Sequence, residues 1–233
     1  MITADYIYHH YQIPDNLQQH MLQAAAVGKI TAGAWQADIN LQLIVESLLV
    51  HDLGNIVKFD LEAKNYQLDE HERGLQFWRQ VQTTFQQRYG LRADRANVKV
   101  VKELNFSPEI IKLLEKHDFA AIPLALENDE FELQITLYAD LRLTPEGLAS
   151  MSDRINDLRQ RYQSVDPKWR DEKSYQQRRQ DCLRLEQSIN SQTTIDVTQL
   201  QSKQVDSTAE KLRSFQFDLD PSNLPDLWDE QQT

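Results

Sequence analysis

A histidine and an aspartate stand side by side at the end of a long apolar stretch. His51 and Asp52 follow the apolar run at 48–50, and Gly54 comes two residues later. An ionised carboxylate in a protein core costs several kcal/mol unless it is paired or bound to a metal. We therefore expect a metal ion at this point. Asp52 continues an apolar stripe with the spacing of a helix face, formed by Leu41, Ile44, Val45, Leu48 and Leu49.

Four further segments with helical periodicity also place a histidine or an aspartate on or beside their apolar face. These residues are His20, His71, His117 and Asp140. One such histidine is more often a hydrogen-bonded core residue than a ligand. The same feature on five helix faces, however, indicates a shared site. Imidazole and carboxylate together suit zinc, iron, manganese, magnesium or cobalt, and residue type does not choose among them. We expect one or two divalent ions.

The elements that position these residues are predicted to be helices. The chain has 233 residues, of which 40% are hydrophobic, and only 6 Gly and 7 Pro, so turn signals are too few for an all-β fold. We predict an all-α fold. A net charge of -11 argues against binding duplex DNA. The single Cys182 excludes a disulfide framework and a cysteine-based zinc site. The longest apolar run is under about 18 residues and no leader is apparent, so we expect a soluble, cytoplasmic protein without a membrane partner.

Three regions follow from the composition. Residues 1–165 form the predicted helical core, 166–189 a charged C-terminal helix, and 190–233 a polar, mostly disordered tail. Within the tail, the apolar residues at 215–228 either dock on the core or form a short partner-binding motif.

Three local patterns complete the prediction of secondary structure. A helix opening at Pro14 is interrupted between Gly28 and Gly33, and another helix begins at Thr144. Residues 131–142 alternate like a strand but also show helical spacing, and we predict a helix because no partner strand is nearby.

The order of these residues resembles the HD-domain superfamily of metal-dependent phosphohydrolases. The resemblance is carried by His20, by His51 and Asp52 in the sequence LVHDLG at 49–54, and by Asp140 in LYADLR at 137–142. It covers roughly residues 14–162 and implies a helical bundle with the metal at its centre. In that family these four residues would be ligands, and Asp52 would also be catalytic.

A closer resemblance concerns the binuclear branch, which includes the HD-GYP cyclic-dinucleotide phosphodiesterases. His71 in HERG and His117 in LLEKH resemble two further histidine ligands of that branch, and Asp52 would then bridge two metals. The Gly-Tyr-Pro signature is missing after His117, so specificity for cyclic dinucleotides is not implied. Both histidines could equally be ordinary cleft residues.

The resemblance implies hydrolysis of a phosphate mono- or diester in a small phosphorylated substrate, a nucleotide being the expected one. A bound divalent ion lowers the pKa of water toward about 7 and polarises a phosphoryl oxygen. Lys58 and Arg142 lie beside ligands in the sequence and are candidates for binding the substrate phosphate, or are solvated surface charges. Two alternatives stay open: a di-iron oxygenase of the same superfamily, and a degenerate HD domain acting as a signalling or interaction module. The sequence leaves the oligomeric state undetermined.

Overall fold

A computed structural model describes residues 2–62 and 73–228 of the chain, and most of these residues are helical. The all-α prediction is confirmed. The helices are α1 (Ala4–His10), α2 (Asp15–Gly33), α3 (Leu41–Val50), α4 (Gly74–Tyr89), α5 (Ala93–Glu103), α6 (Pro108–Glu115), α7 (Ile122–Glu127), α8 (Phe131–Leu141), α9 (Met151–Tyr162), α10 (Pro167–Arg170), α11 (Glu172–Gln192) and α12 (Ser202–Leu212). Four two-residue strands form two antiparallel pairs: β1 (Ile2–Thr3) with β4 (Gln216–Phe217), and β2 (Leu143–Thr144) with β3 (Gly147–Leu148).

Helices α2, α3 and α8 pack against one another at the centre of the molecule. The predicted interruption between Gly28 and Gly33 is wrong, because α2 continues through both glycines. Gly28 has a packing role instead. A Cβ atom at this position would lie 2.3 Å from a methyl group of Leu48 and 3.1 Å from Ile44. The missing side chain therefore lets α2 and α3 approach closely, which matters because these two helices bring histidines to the same place.

The segment after α8 is a hairpin, so the predicted helix start at Thr144 is wrong. Strands β2 and β3 pair across a turn in which Gly147 has a φ of +111°, a conformation that favours glycine. Helix α9 begins later, where the side chain of Ser150 accepts a 3.1 Å hydrogen bond from the backbone N–H of Asp153 and caps the helix. The Thr-Pro-Glu-Gly sequence thus forms a turn rather than a first helical turn.

The C-terminal segment is also more ordered than predicted. The charged helix is divided into α10 and α11, and the disordered tail expected from Asn190 is wrong for the residues described up to Trp228. Helix α12 packs on α2 and buries three apolar residues, Val205, Ala209 and Leu212. The docking alternative for 215–228 agrees with the structure, since β4 pairs with β1 and the Trp228 indole N–H donates a 2.7 Å hydrogen bond to the His10 carbonyl.

No membrane-spanning candidate occurs in the part of the chain that the structure describes, because each of its helices is too short or too polar to cross a bilayer.

The turn after the His-Asp pair is held against α5 by a second close contact. The backbone N–H of Gly54 donates a 3.2 Å hydrogen bond to the side-chain oxygen of Asn97. A Cβ on Gly54 would lie 2.3 Å from the backbone nitrogen of Asn97 and 2.8 Å from the carbonyl carbon of Ala96. Backbone atoms of a helix cannot yield as the tip of a side chain can, so this position has no room for any other residue.

We predict that Gly54→Ala lowers the free energy of unfolding by about 1–3 kcal/mol, the usual cost of overpacking. The measurement is urea denaturation followed by circular dichroism. Gly33→Ala is the matched control, because a Cβ there meets nothing within 4 Å and alanine is the better helix former, so stability should stay the same or rise by up to about 1 kcal/mol. Equal stabilities of Gly54→Ala and the parent would show that the turn and α5 are not in contact.

Candidate metal centre

Three central helices bring four of the predicted ligands together. His20 lies on α2, His51 caps the C-terminal end of α3, Asp52 follows it in the turn, and Asp140 lies near the end of α8. Each helix is apolar over most of its length, and the polar residues sit where the three helices meet. The sequence order His, His-Asp, Asp thus becomes one cluster in space.

The ligand atoms of the cluster converge on a small volume. The Nε2 atoms of His20 and His51 are 3.3 Å apart. Oδ1 of Asp140 lies 3.1 Å from Nε2 of His20 and 3.7 Å from Nε2 of His51. Oδ2 of Asp52 lies 3.7 and 3.8 Å from the same two nitrogens. One ligand atom from each of His20, His51 and Asp52 lies within 4.8 Å of the other two.

These distances fit a divalent ion. Zinc-like ions bind nitrogen and oxygen ligands at about 2.0–2.2 Å, and ligands about 90–110° apart are then separated by about 3.0–3.5 Å. The separation of the two histidine nitrogens, and the separation of each carboxylate from these nitrogens, lie between 3.1 and 3.8 Å, close to this range. The side chains of His20, Asp52 and Asp140 keep 21–27% of their surface exposed, so an ion could reach the cluster from outside.

The orientation of His51 supports a ligand role. Its Nδ1 lies 2.7 Å from the backbone oxygen of Leu48 and donates a hydrogen bond to it. That bond fixes the ring and leaves Nε2 facing His20, the orientation of histidines whose second nitrogen binds a metal. Burial would lower the pKa of His51, but the carboxylates of Asp52 and Asp140 outweigh it and raise this pKa to about 9. The cluster therefore attracts positive charge.

The pKa of Asp140 is shifted in the opposite direction, downward, by its histidine neighbours. Burial alone would raise the pKa of its carboxyl, but hydrogen bonds with His20 and His51 hold that pKa well below its usual range. The carboxylate is ionised at neutral pH and available as a ligand.

His117 lies at the edge of the cluster with an unused nitrogen. Its ring centroid is 5.4 Å from that of His51, and its ring hydrogen-bonds the backbone of Thr136. Its Nε2 is buried and has no hydrogen-bond partner within the described ranges. Burial, with repulsion from His51, lowers the pKa of His117, so its imidazole is neutral. A neutral imidazole with a free Nε2 is a suitable metal ligand. The sixth predicted ligand, His71, lies outside the described residues, and its role stays a prediction.

The two predicted phosphate-binding residues have different outcomes. Lys58 is exposed at the end of the 3-10 helix Asn55–Lys58 and lines the cavity in front of the cluster. Arg142 is only 2% exposed and is absent from the cavity lining that the structure describes. Its guanidinium donates hydrogen bonds of 2.7 Å to the carbonyls of Ala149 and Val197 and another to the hydroxyl of Tyr138. The proposed substrate contact for Arg142 is wrong, as is the alternative of a solvated surface charge, because the residue ties the hairpin to the C-terminal segment.

The cluster lies in the wall of an open cavity of about 1010 Å³. His20, Asp52, His117 and Asp140 line one part of it. Another part is formed by α9 to α11 and contains residues that the sequence analysis did not select, among them Arg154, Arg161, Trp169 and Arg178. Their only sequence signal is that two of these arginines flank the apolar stripe of α9.

Comparisons with known protein families, with curated proteins and with solved structures give no match to this chain. Any functional assignment therefore depends on the geometry of the cluster and its cavity.

We predict that the parent protein binds a divalent ion and that Asp52→Asn removes this binding. Asparagine keeps the shape of the side chain but loses the charge that the ion needs. Saturating metal at about 100 times its Kd should add about 2.7 kcal/mol to the stability of the parent, whereas Asp52→Asn should gain little. The measurement is thermal unfolding and calorimetric titration with Mn²⁺, Fe²⁺, Zn²⁺, Co²⁺ and Mg²⁺. Asp38→Asn, an exposed position outside the cluster, is the control and should behave as the parent.

Proposed function

We propose that this protein is a metal-dependent phosphohydrolase with the HD-domain arrangement of ligands. The observation that carries the proposal is the convergence of His20, His51, Asp52 and Asp140 from three helices, with the Nε2 atoms of the two histidines 3.3 Å apart. Their order along the chain resembles that of the HD-domain superfamily, and their position in an open cavity gives a substrate access. The lack of any match among known proteins leaves this proposal dependent on the site alone.

Each residue of the site has a distinct role in this proposal. The four clustered residues hold the ion, and the hydrogen bond from His51 to Leu48 keeps the imidazole aligned. A bound divalent ion supplies an activated water and polarises the phosphoryl oxygen. Lys58 lines the cavity and makes no ion pair in the described part of the chain, so its ammonium is free to orient a substrate phosphate. The substrate class is a small phosphate ester such as a nucleotide.

We further propose a second ion beside the first. The support is the Nε2 of His117, which is buried and has no hydrogen-bond partner among the described residues, and whose ring lies 5.4 Å from that of His51. A lone polar atom in a protein interior costs free energy unless something binds it. His117 and Asp52 would hold this second ion, and the two ions together would supply the activated water and polarise the phosphoryl oxygen.

The number of ions is tested by the double variant His71→Ala, His117→Ala. The parent is expected to bind about two ions per chain and the double variant about one, measured by elemental analysis after desalting. The single variant His117→Ala separates the contribution of the described residue. Replacing His9, an exposed histidine outside the cavity, is the control and should leave the count unchanged. One ion in both the parent and the double variant would contradict the second site and favour a mononuclear nucleotidase.

The proposed activity is tested with metal-loaded full-length protein and a set of nitrophenyl phosphate mono- and diesters and nucleotides. We expect hydrolysis that a chelator abolishes and that added metal restores. Asp52→Asn should reduce kcat by at least about a hundredfold, because the metal contributes several kcal/mol to the transition state, while Asp38→Asn should not. Bound iron with oxygen uptake and no phosphate release would instead favour the di-iron oxygenase. If the protein shows no turnover and binds no metal, the results would favour an interaction module.

A further inference from the structure

The cavity wall formed by α9, α10 and α11 holds three arginines, Arg154, Arg161 and Arg178. Their concentration is notable in a chain with 36 acidic and 25 basic residues. They line the same cavity as the metal cluster but come from helices that supply none of the predicted ligands. We refer to these three residues as the arginine wall.

Arg178 is held in place by aromatic rings. Its guanidinium carbon lies 4.4 Å from the ring centroid of Trp169 and 5.2 Å from that of Phe119. Trp169 is itself buried, so the platform is fixed. Within residues 2–62 and 73–228, no carboxylate lies within ion-pairing distance of Arg178. A guanidinium stacked on rings keeps its N–H edges available for a planar or tetrahedral anion.

Arg154 and Arg161 share a single carboxylate. The side chain of Asp157 lies 2.9 Å from Arg154 and 2.6 Å from Arg161. Arg154 is only 11% exposed at its side chain, and its Nε is buried without a hydrogen-bond partner in the described part of the protein. Within the described residues, the three guanidinium groups thus have a single paired carboxylate, Asp157, in a partly buried setting.

The other carboxylates that line the cavity form no ion pair with these arginines within the described residues. Asp118, Glu146 and Asp166 also line the cavity, but as far as the structure describes the chain none of them forms an ion pair with the arginine wall. The side chain of Asp118 accepts the N–H of Ala120, and that of Asp166 accepts the N–H of Lys168. These two acids are oriented toward backbone N–H groups at helix starts, and none of the three acids occupies the N–H groups of the arginine wall.

We infer that the arginine wall binds a second phosphate group of the substrate, while the first lies at the metal cluster. This inference rests on the proposed phosphohydrolase function and specifies its substrate class: a phosphate ester that carries another phosphate at a distance. Arginine is suited to this role because its planar donors bind phosphate oxygens in pairs. A cavity of about 1010 Å³ is large enough for a ligand that spans both places.

The test uses straight-chain alkanediol bisphosphates with three to ten carbons and the matched alkyl monophosphates, which differ only by the second phosphate. With metal-loaded full-length protein, one chain length should be hydrolysed with a kcat/KM at least about tenfold above its monophosphate, the value of a charge-assisted hydrogen bond. Arg178→Gln should remove this preference and leave the kcat/KM of the monophosphate within about twofold. Arg179→Gln is the matched control, an exposed neighbour on the same helix that lies outside the cavity.

Arg161→Gln is the second variant, because this side chain is 37% exposed and its loss should not disturb folding. It should reduce the preference in the same direction as Arg178→Gln. Thermal unfolding confirms that each variant is folded. Equal values for bisphosphate and monophosphate in the parent, or a loss in Arg178→Gln that is the same for both substrates, would overturn the inference.

A binding experiment separates this inference from the proposed function. The corresponding alkane bisphosphonates and monophosphonates cannot be hydrolysed, and their affinities are measured by calorimetry on the same proteins. Tighter binding of a bisphosphonate that Arg178→Gln abolishes and Arg179→Gln retains would support the arginine wall even if no hydrolysis is found. Hydrolysis of simple esters without any such preference would support the proposed function and overturn the second phosphate site.

Discussion

Charged side chains that lie between apolar helices need a nearby group of opposite charge. This requirement determines which residues lie at the centre of the molecule. Asp52 and Asp140 project from turns and helix ends whose other residues belong to the core. The carboxylates of Asp52 and Asp140 raise the pKa of His51, and hydrogen bonds with His20 and His51 lower the pKa of Asp140. A divalent ion in the same place would balance both carboxylates with a single charge centre and let the histidines remain neutral.

Close packing of the helices helps to set the geometry of the cluster. The Nε2 atoms of His20 and His51 lie 3.3 Å apart, and Gly28 lets the two helices that carry them pack closely against each other. Gly54 does the same between the turn after Asp52 and α5. The positions of metal ligands must be accurate to fractions of an ångström. A glycine at a contact lets two backbone segments touch directly, and this contact helps to fix the positions of the ligands.

The sequence was sufficient to select the four residues of the cluster. His20 and Asp140 lie on helices, and His51 and Asp52 directly follow α3, so the apolar stripe of each helix indicates that they lie inward. The stripe of α8 gives no direction for the side chain of Arg142. Arg142 follows Asp140 by two residues, but it is the cap of α8 and its side chain turns toward Ala149 and Val197 instead of the cavity. Its burial depends on a hairpin that a Thr-Pro-Glu-Gly turn creates.

The sequence does not predict the parts of the structure that are stabilised by contacts between residues far apart in the chain. Helix α12 has only a narrow apolar stripe of Val205, Ala209 and Leu212 in a polar setting, and a stripe of that kind is not stable alone. It is ordered by packing on α2, far away in the chain. The arginine wall was missed for the same reason. Nothing in the local sequence of Arg178 shows that Trp169 and Phe119 will lie beneath it.

A chain with a net charge of -11 would repel a phosphorylated ligand at long range if its charges were spread evenly. At physiological salt, however, exposed charges are screened beyond about 8 Å, so the field inside a cavity is set by the groups that line it. Here those groups are acids near the metal cluster and elsewhere in the lining, together with Lys58 and the arginine wall, so the positive charge is local to one part of the cavity. The ligands of the metal cluster belong to α2, α3, α8 and the turn at Asp52, whereas the arginines belong to α9 and α11. A substitution in the arginine wall therefore changes the charge that faces an anion without replacing a ligand of the metal cluster.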